Sequence, residues 1–284
     1  MAKVFLNDGL VQDNQAMVSV SDGGFLYGMG LFETMRSCNG KVFCLDDHLE
    51  RLFAGAEKLS IKIPYKEKFL EEAIYSVLQA NGLSNARLRL TITSGTISAD
   101  KSLPTLLITA SEFKPYPEEY YQKGVEAVLS PYRQNPTDPT CGLKTTSYMA
   151  RMLSLKYAQQ YKAAEALWFT TDNRLAEGCI SNVFLVKDSA VFTPELNTPV
   201  LAGIARKTVL KIASDNSVRC SEKDLHIDDL LEADEVFITN VVMQVMPVIK
   251  IDKRDVASGK IGPITKELIR LYDKLIEETC GKKQ

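Results

Sequence analysis

Arg174-Leu175-Ala176-Glu177-Gly178-Cys179-Ile180-Ser181-Asn182-Val183-Phe184 sets one acid at the turn between two strand-like runs. An acid at a β-turn usually faces water, but here Gly178 and an apolar strand follow at once. Burying that carboxylate would require a cationic partner. Outward from this stretch, strands and helices interleave. Val125 to Leu129, Ala166 to Thr170, Asn182 to Val186, Val191 to Phe192, Glu235 to Thr239 and Gln244 to Ile251 read as strands. Tyr148 to Tyr161, Ile204 to Ala213 and Pro263 to Thr279 read as helices, with Pro263 suited to the first helical position.

The first third adds two hairpins and two helices. Val4 to Leu6 runs into the turn signal Asn7-Asp8-Gly9, and Leu31 to Arg36 and Lys41 to Leu45 flank Asn39-Gly40. Leu45 to Leu59 has helical spacing, with Asp46 and Asp47 placed where the helix dipole favours negative charge. Glu67 to Ala80 forms a second amphipathic helix, ended by Asn81-Gly82. Arg87 to Thr93 and Thr105 to Ala110 are β-rich. Phe113-Lys114-Pro115-Tyr116-Pro117-Glu118-Glu119 is the linker candidate. The expected fold is α+β in two domains, a smaller one over 1–118 and a larger one over 119–284.

The chain has 284 residues and is 45% hydrophobic and 25% charged, which excludes disordered, collagenous and coiled-coil classes. Lys plus Arg is 34 against Asp plus Glu 36, so there is no basic excess for a nucleic acid or an anionic bilayer. A small-molecule partner is expected. Six cysteines without pairing rhythm read as reduced thiols, and His48 and His226 share no zinc-like spacing with them. No metal is expected. With no signal-peptide core and no apolar run near the ~20 residues of a membrane helix, the expected compartment is the cytoplasm.

Several residues could carry chemistry. Gly24-Phe25-Leu26-Tyr27-Gly28-Met29-Gly30 is glycine-rich but matches no phosphate-loop pattern, and reads as a tight turn. Lys144 lies among small polar residues just ahead of a helix. Gly203 opens a helix, where free N–H groups and the dipole make an anion site, and Arg51 could add its planar fork. An amine, a carboxylate, a phenol, a helix start and an arginine are together what a pyridoxal phosphate site requires.

At these residues the sequence resembles the class IV aminotransferase family, the fold-type-IV pyridoxal-phosphate enzymes. The resemblance runs in order through Tyr27-Gly28-Met29-Gly30-Leu31-Phe32-Glu33-Thr34, Asp47-His48-Leu49-Glu50-Arg51-Leu52, Lys144 with Tyr148, and Ala176 to Phe184. It continues through Thr193-Pro194, Gly203-Ile204-Ala205-Arg206 and Ala233-Asp234-Glu235 to Met246-Pro247-Val248. It implies that Lys144 holds the cofactor covalently and shuttles a proton. Glu177 would pair with the ring nitrogen and Tyr148 with the ring hydroxyl. Arg51 and the N–H groups of Ile204 and Ala205 would grip the phosphate, with Gly203 also at the cofactor. Val241 and Val242 stand where family members often carry Thr or Ser, leaving backbone donors only, and Ala205 replaces a common Thr. The resemblance also implies a homodimer, with Tyr27 supplied by the partner subunit.

For the reaction, Arg87 and Arg89 fall on one face of a strand and suit a substrate with carboxylates. Gly95-Thr96-Ile97-Ser98-Ala99-Asp100 lacks the Arg-x-His element of well-known D-amino-acid transaminases. Phe32-Glu33-Thr34, Arg87-Leu88-Arg89 and Thr239-Asn240 look most like aminodeoxychorismate lyase, which releases pyruvate and 4-aminobenzoate, with Thr34 a candidate for assisting proton delivery. The alternative is a transaminase for D-amino or branched-chain amino acids and a 2-oxo acid such as 2-oxoglutarate. A non-catalytic protein on the same fold, sensing or storing the cofactor, is the reading from another class.

Overall fold

Asn7, at φ 55°, turns the chain from β1 (Lys3–Leu6) into β2 (Gly9–Gln12), with Leu6 opposite Gly9. The computed structural model describes residues 1–96 and 103–281. After a one-turn helix, α1 (Gly23–Tyr27), come β3 (Gly30–Cys38), β4 (Lys41–Val42), α2 (Leu45–Lys58), α3 (Glu67–Ala80), β5 (Ala86–Thr93) and β6 (Leu106–Glu112). They form a six-stranded sheet in the order β2-β1-β6-β5-β3-β4. Alternation decides its faces. Leu31 and Met35, Leu88, Leu90 and Ile92, and Leu106 and Ile108 pack against Leu49 and Leu52 of α2 and Ile74 and Val77 of α3. Phe32, Thr34, Arg87 and Arg89 take the opposite face. Two sequence expectations change here. The strand expected over Lys41 to Leu45 is short because Leu45 already starts α2. The expected tight turn at Gly24 to Gly30 contains α1, capped at its start by the Asp22 carboxylate and ended by Gly28 at φ 68°.

The second unit contains α4 (Glu118–Lys123), β7 (Val125–Gln134), α5 (Met149–Gln160), β8 (Glu165–Thr170), β9 (Leu175–Gly178), β10 (Asn182–Lys187) and β11 (Ala190–Pro194). Then follow α6 (Ile204–Asp215), β12 (Cys220–Lys223), α7 (Ile227–Leu231), β13 (Glu235–Asn240), β14 (Gln244–Ile251), β15 (Arg254–Asp255) and α8 (Pro263–Cys280), which belongs to this unit as far as Leu275. The strand order is β12-β11-β10-β13-β14-β7-β8-β9, with β15 paired to β14. Val128, Ala166 and Trp168 pack with Ala158 of α5, while Val125, Ala127, Leu167 and Phe169 join Leu225 and Leu230 in a separate cluster. A sheet covered on both faces reads as near-continuous apolar runs, which is why β8 and β10 are buried almost throughout.

Two compact units divide the chain: Met1–Lys114, Leu143–Tyr148 and Ile276–Gln284 in the first, Pro115–Gly142 and Met149–Leu275 in the second. The first crossing thus falls at Pro115, ahead of residue 118, because α4 packs on β14. Leu143–Tyr148 returns to the first unit by pairing with β3, through a bridge between Leu31 and Thr145. Among the described residues, no helix is long and apolar enough to cross a membrane.

Candidate active site

Lys144 is held by backbone. Its carbonyl accepts the Phe32 N–H at 2.9 Å, and two residues on, Thr146 donates its N–H to Gly30 and its hydroxyl to the Gly28 carbonyl. A side chain on Gly28 would stand 3.2 Å from Ser147, so the bare glycine lets the two segments close up. The Lys144 amine then sits 4.5 Å from the centre of the Phe32 ring. Tyr148 meets the same ring edge-on at 5.4 Å, and the Arg89 guanidinium lies over it at 3.8 Å. Lys144, Tyr148 and Arg89 therefore converge on Phe32, and Thr34 is the direct cross-strand neighbour of Arg89. Arg87 lies on the same face, two residues along. Asp22, which sequence reasoning passed over, is buried beneath α1 and accepts hydroxyls from Thr93 at 2.7 Å and Thr105 at 2.8 Å.

Arg51 does not merely decorate its helix. Its Nε and Nη2 donate to the two oxygens of Glu33 at 2.8 and 2.6 Å, and the Nδ1 of His48 lies 2.7 Å from the same carboxylate. Glu33 occupies the core-facing row of β3 between Leu31 and Met35, and its side chain is 2% exposed. Burial pushes the Glu33 carboxyl up, but the Arg51 charge and the bonds from His48 and Arg51 override it, down to about 2. For His48, burial dominates and pulls the imidazole down. An ionised carboxylate only accepts, so the His48 proton that faces it is on Nδ1. Glu33 and His48 appeared in the sequence only as parts of motifs. Their signal was a charged pair at positions whose spacing faces the core.

This triad has a pH signature. The folded Glu33 carboxyl ionises below its unfolded counterpart, so its stabilisation is present above about 4.5 and disappears as pH falls through about 2. That interval corresponds to about 3 kcal/mol. His48 acts in the same sense: below about 6.5 the unfolded chain takes up a proton that the native imidazole resists. Urea midpoints measured from pH 8 to pH 3 are expected to fall continuously. In Glu33→Gln the drop below pH 4.5 is expected to shrink.

In the second unit, Glu177 is the penultimate residue of β9, not part of the turn itself, and is 4% exposed. Its Oε1 accepts from Arg151 Nη2 at 2.6 Å and its Oε2 from the Leu201 N–H at 3.0 Å. The cationic partner that burial requires is thus Arg151. Two residues past Leu201, Gly203 is the N-cap of α6, and no side chain caps that helix. A Cβ on Gly203 would collide with Oδ1 of Asn182, whose amide is fixed by the Leu201 carbonyl at 2.9 Å. The start of α6 therefore presents the N–H groups of Ile204 and Ala205, both buried residues, without a competing cap. Val242 departs from the expected pattern of open backbone donors. Its N–H goes to Asn240 Oδ1 at 2.9 Å, and Met243 shares that acceptor at 2.8 Å. Val241, beside it, is buried. Of the Gly95 to Asp100 stretch, residues 97–100 lie outside the described residues.

Residues 30–251 match the model of the Amino-transferase class IV family. The D-alanine aminotransferase of Staphylococcus epidermidis is 32% identical over 284 residues, covering 98% of this chain and 99% of that protein. The branched-chain amino acid aminotransferase of Escherichia coli superposes with a TM-score of 0.91 at 26% identity, over 96% of this chain and 94% of that one. The branched-chain amino acid aminotransferase of T.th., solved with pyridoxamine 5'-phosphate, gives 0.91 at 28% identity, over 99% and 95%. A putative 4-amino-4-deoxychorismate lyase from Legionella pneumophila, at 23% identity and a TM-score of 0.85 over 93% and 97%, shares the fold. A buried carboxylate with its arginine, a lysine seated on an aromatic ring, and the match over 30–251 agree: the chain belongs to the class IV aminotransferase family and is an enzyme.

Proposed function

We propose that this enzyme is a pyridoxal-phosphate-dependent transaminase that moves an amino group between an amino acid, D-alanine-like or branched-chain, and a 2-oxo acid such as 2-oxoglutarate. The observation that carries the reading is Lys144 held by the Phe32 N–H with its amine on the Phe32 ring. Each unit offers part of what the cofactor needs: the first an amine and a phenol, the second a buried carboxylate and an uncapped helix start that Gly203 keeps free of any Cβ.

Bound pyridoxal phosphate supplies an aldehyde that condenses with amines and a ring that withdraws electrons from the carbon bearing the amino group. Lys144 would attach it, and its amine would carry the proton to and from that carbon. Glu177 would accept from the ring nitrogen, and Tyr148 would support the ring hydroxyl. Ile204 and Ala205 would hold the phosphate with backbone N–H groups at the positive end of α6. Arg51 adds a guanidinium whose orientation Glu33 fixes. Arg87 and Arg89, with Thr34 beside them, receive the carboxylates of the substrate.

A second copy of the chain completes the enzyme. Met17, Val20, Phe25 and Tyr27 are 83, 78, 74 and 68% exposed, a density of large apolar side chains that favours docking. Tyr27 then reaches the partner's substrate. The sequence preference for a lyase, drawn from Phe32-Glu33-Thr34, Arg87-Leu88-Arg89 and Thr239-Asn240, gives way to the transaminase. The D-alanine aminotransferase is 32% identical, whereas the lyase neighbour supports the fold alone.

The test is a substrate panel on purified holoenzyme: D-alanine, D-glutamate and L-leucine, each with 2-oxoglutarate or pyruvate, and aminodeoxychorismate separately. Rapid amino transfer with little 4-aminobenzoate is expected. Abundant 4-aminobenzoate without amino transfer would restore the lyase.

A further inference from the structure

Arg151 lies in the first turn of α5, where the helix dipole disfavours a cation, and no acidic residue shares that turn to offset it. A local cost of this kind calls for a compensating partner elsewhere. The partner is Glu177. Nη2 of Arg151 donates to Glu177 Oε1 at 2.6 Å, while Nη1 donates to the carbonyl of the next residue, Gly178, at 2.8 Å. One planar group therefore grips both the side chain of Glu177 and the main chain that follows it, which fixes the carboxylate plane. Gln134 Oε1, 3.4 Å from Nη2, and the Trp168 ring, 5.3 Å from the guanidinium carbon, complete the seat.

We propose that Arg151 is a positioning residue that holds Glu177 as a pure acceptor and so keeps the shared proton on the ring nitrogen of the cofactor. The proposal rests on Glu177 facing that nitrogen, as read above. With Oε1 held by Arg151 and Oε2 by the Leu201 N–H, each oxygen has a lone pair left for a further donor. Any such donor lies farther from the guanidinium than the carboxylate does. The guanidinium's field therefore favours negative charge on the carboxylate more than it penalises positive charge on the donor. Without Arg151, the proton of that hydrogen bond moves toward Glu177, and the ring becomes a weaker electron sink.

The experiment uses holoenzyme loaded with cofactor labelled with ¹⁵N in the ring, in wild type, Arg151→Met, Arg151→Lys and Glu177→Gln. The ring-nitrogen resonance is expected in the protonated range for wild type. It is expected to shift toward the neutral range in Arg151→Met and Glu177→Gln, and to be largely restored in Arg151→Lys. If Glu177→Gln moves the resonance but Arg151→Met leaves it in place, even while lowering the melting temperature, Arg151 is structural only and the proposal is overturned. If Glu177→Gln also leaves it unmoved, the placement of Glu177 at the ring nitrogen is itself wrong, and the proposal goes with it.

Discussion

Lys144→Ala is expected to lower kcat roughly 10⁴-fold or more and to abolish covalent retention of the cofactor, with the melting temperature of the protein nearly unchanged. Two effects combine. In its proposed role Lys144 supplies both the attachment that orients the cofactor and the amine that moves the substrate proton, an acid–base contribution of about 10²–10⁴ by itself. The fold should tolerate the change because the berth is made by the backbone. The Lys144 carbonyl still accepts from Phe32, and Thr146 still bonds Gly28 and Gly30. The contact of the side chain with the face of the Phe32 ring is an interaction of about 1 kcal/mol at most sites. Added methylamine should restore part of the rate, since a small free amine can occupy the vacated space and carry the proton. Borohydride reduction followed by peptide mapping should place the cofactor on Lys144 in wild type. An adduct on a different lysine, or a Lys144→Ala enzyme with near-normal turnover, would refute the assignment.

Elements with a strong local period were legible before the structure. Glu67 to Ala80 was bounded correctly because Leu70, Ile74 and Val77 recur on one face and Asn81-Gly82 stops the helix. The hairpins at Asn7-Asp8 and Asn39-Gly40 were legible from turn chemistry. Short elements were not. Five residues in α1 or α7 are too few to show a period, and β12 pairs with β11 across the whole of α6. Of the site, Lys144, Tyr148, Glu177 and Gly203 stood out through ordered motifs, and the need for a cation at Glu177 followed from burial. The identity of that cation did not. Arg151 is 26 residues away along the chain and, like the bridge from Leu31 to Thr145, is chosen by tertiary pairing that leaves no local pattern. A cation in the first turn of a helix was the available signal. Likewise, Glu33 looked like one polar residue in a strand until the core-facing row placed it opposite Arg51 and His48.

That buried triad gives the second large expectation. Glu33→Gln should destabilise the protein by about 3–5 kcal/mol, as removal of one member of a buried ion pair typically does. The reason lies in the donors. Arg51 Nη2 and His48 Nδ1 both point at Oε2, 2.6 and 2.7 Å away, and Nε of Arg51 points at Oε1. A carboxylate accepts all three, whereas an amide must set an NH₂ against at least one of them. Moving the His48 proton to Nε2 relieves one conflict but places a donor where no buried partner lies among the described residues. The guanidinium of Arg51, with its side chain only 16% exposed, keeps a charge that nothing at position 33 balances. Because Glu33 also sets the plane of that guanidinium, affinity for pyridoxal phosphate should fall along with stability. Exchanging Arg51 for Met in the same chain separates the two effects. The double variant Glu33→Gln/Arg51→Met should recover much of the lost stability, since no guanidinium then faces the amide at position 33, yet none of the phosphate affinity. Urea midpoints and fluorescence titration with the cofactor read the two quantities independently. A Glu33→Gln protein within 1 kcal/mol of wild type would mean that the triad neither strains nor orders this face of β3.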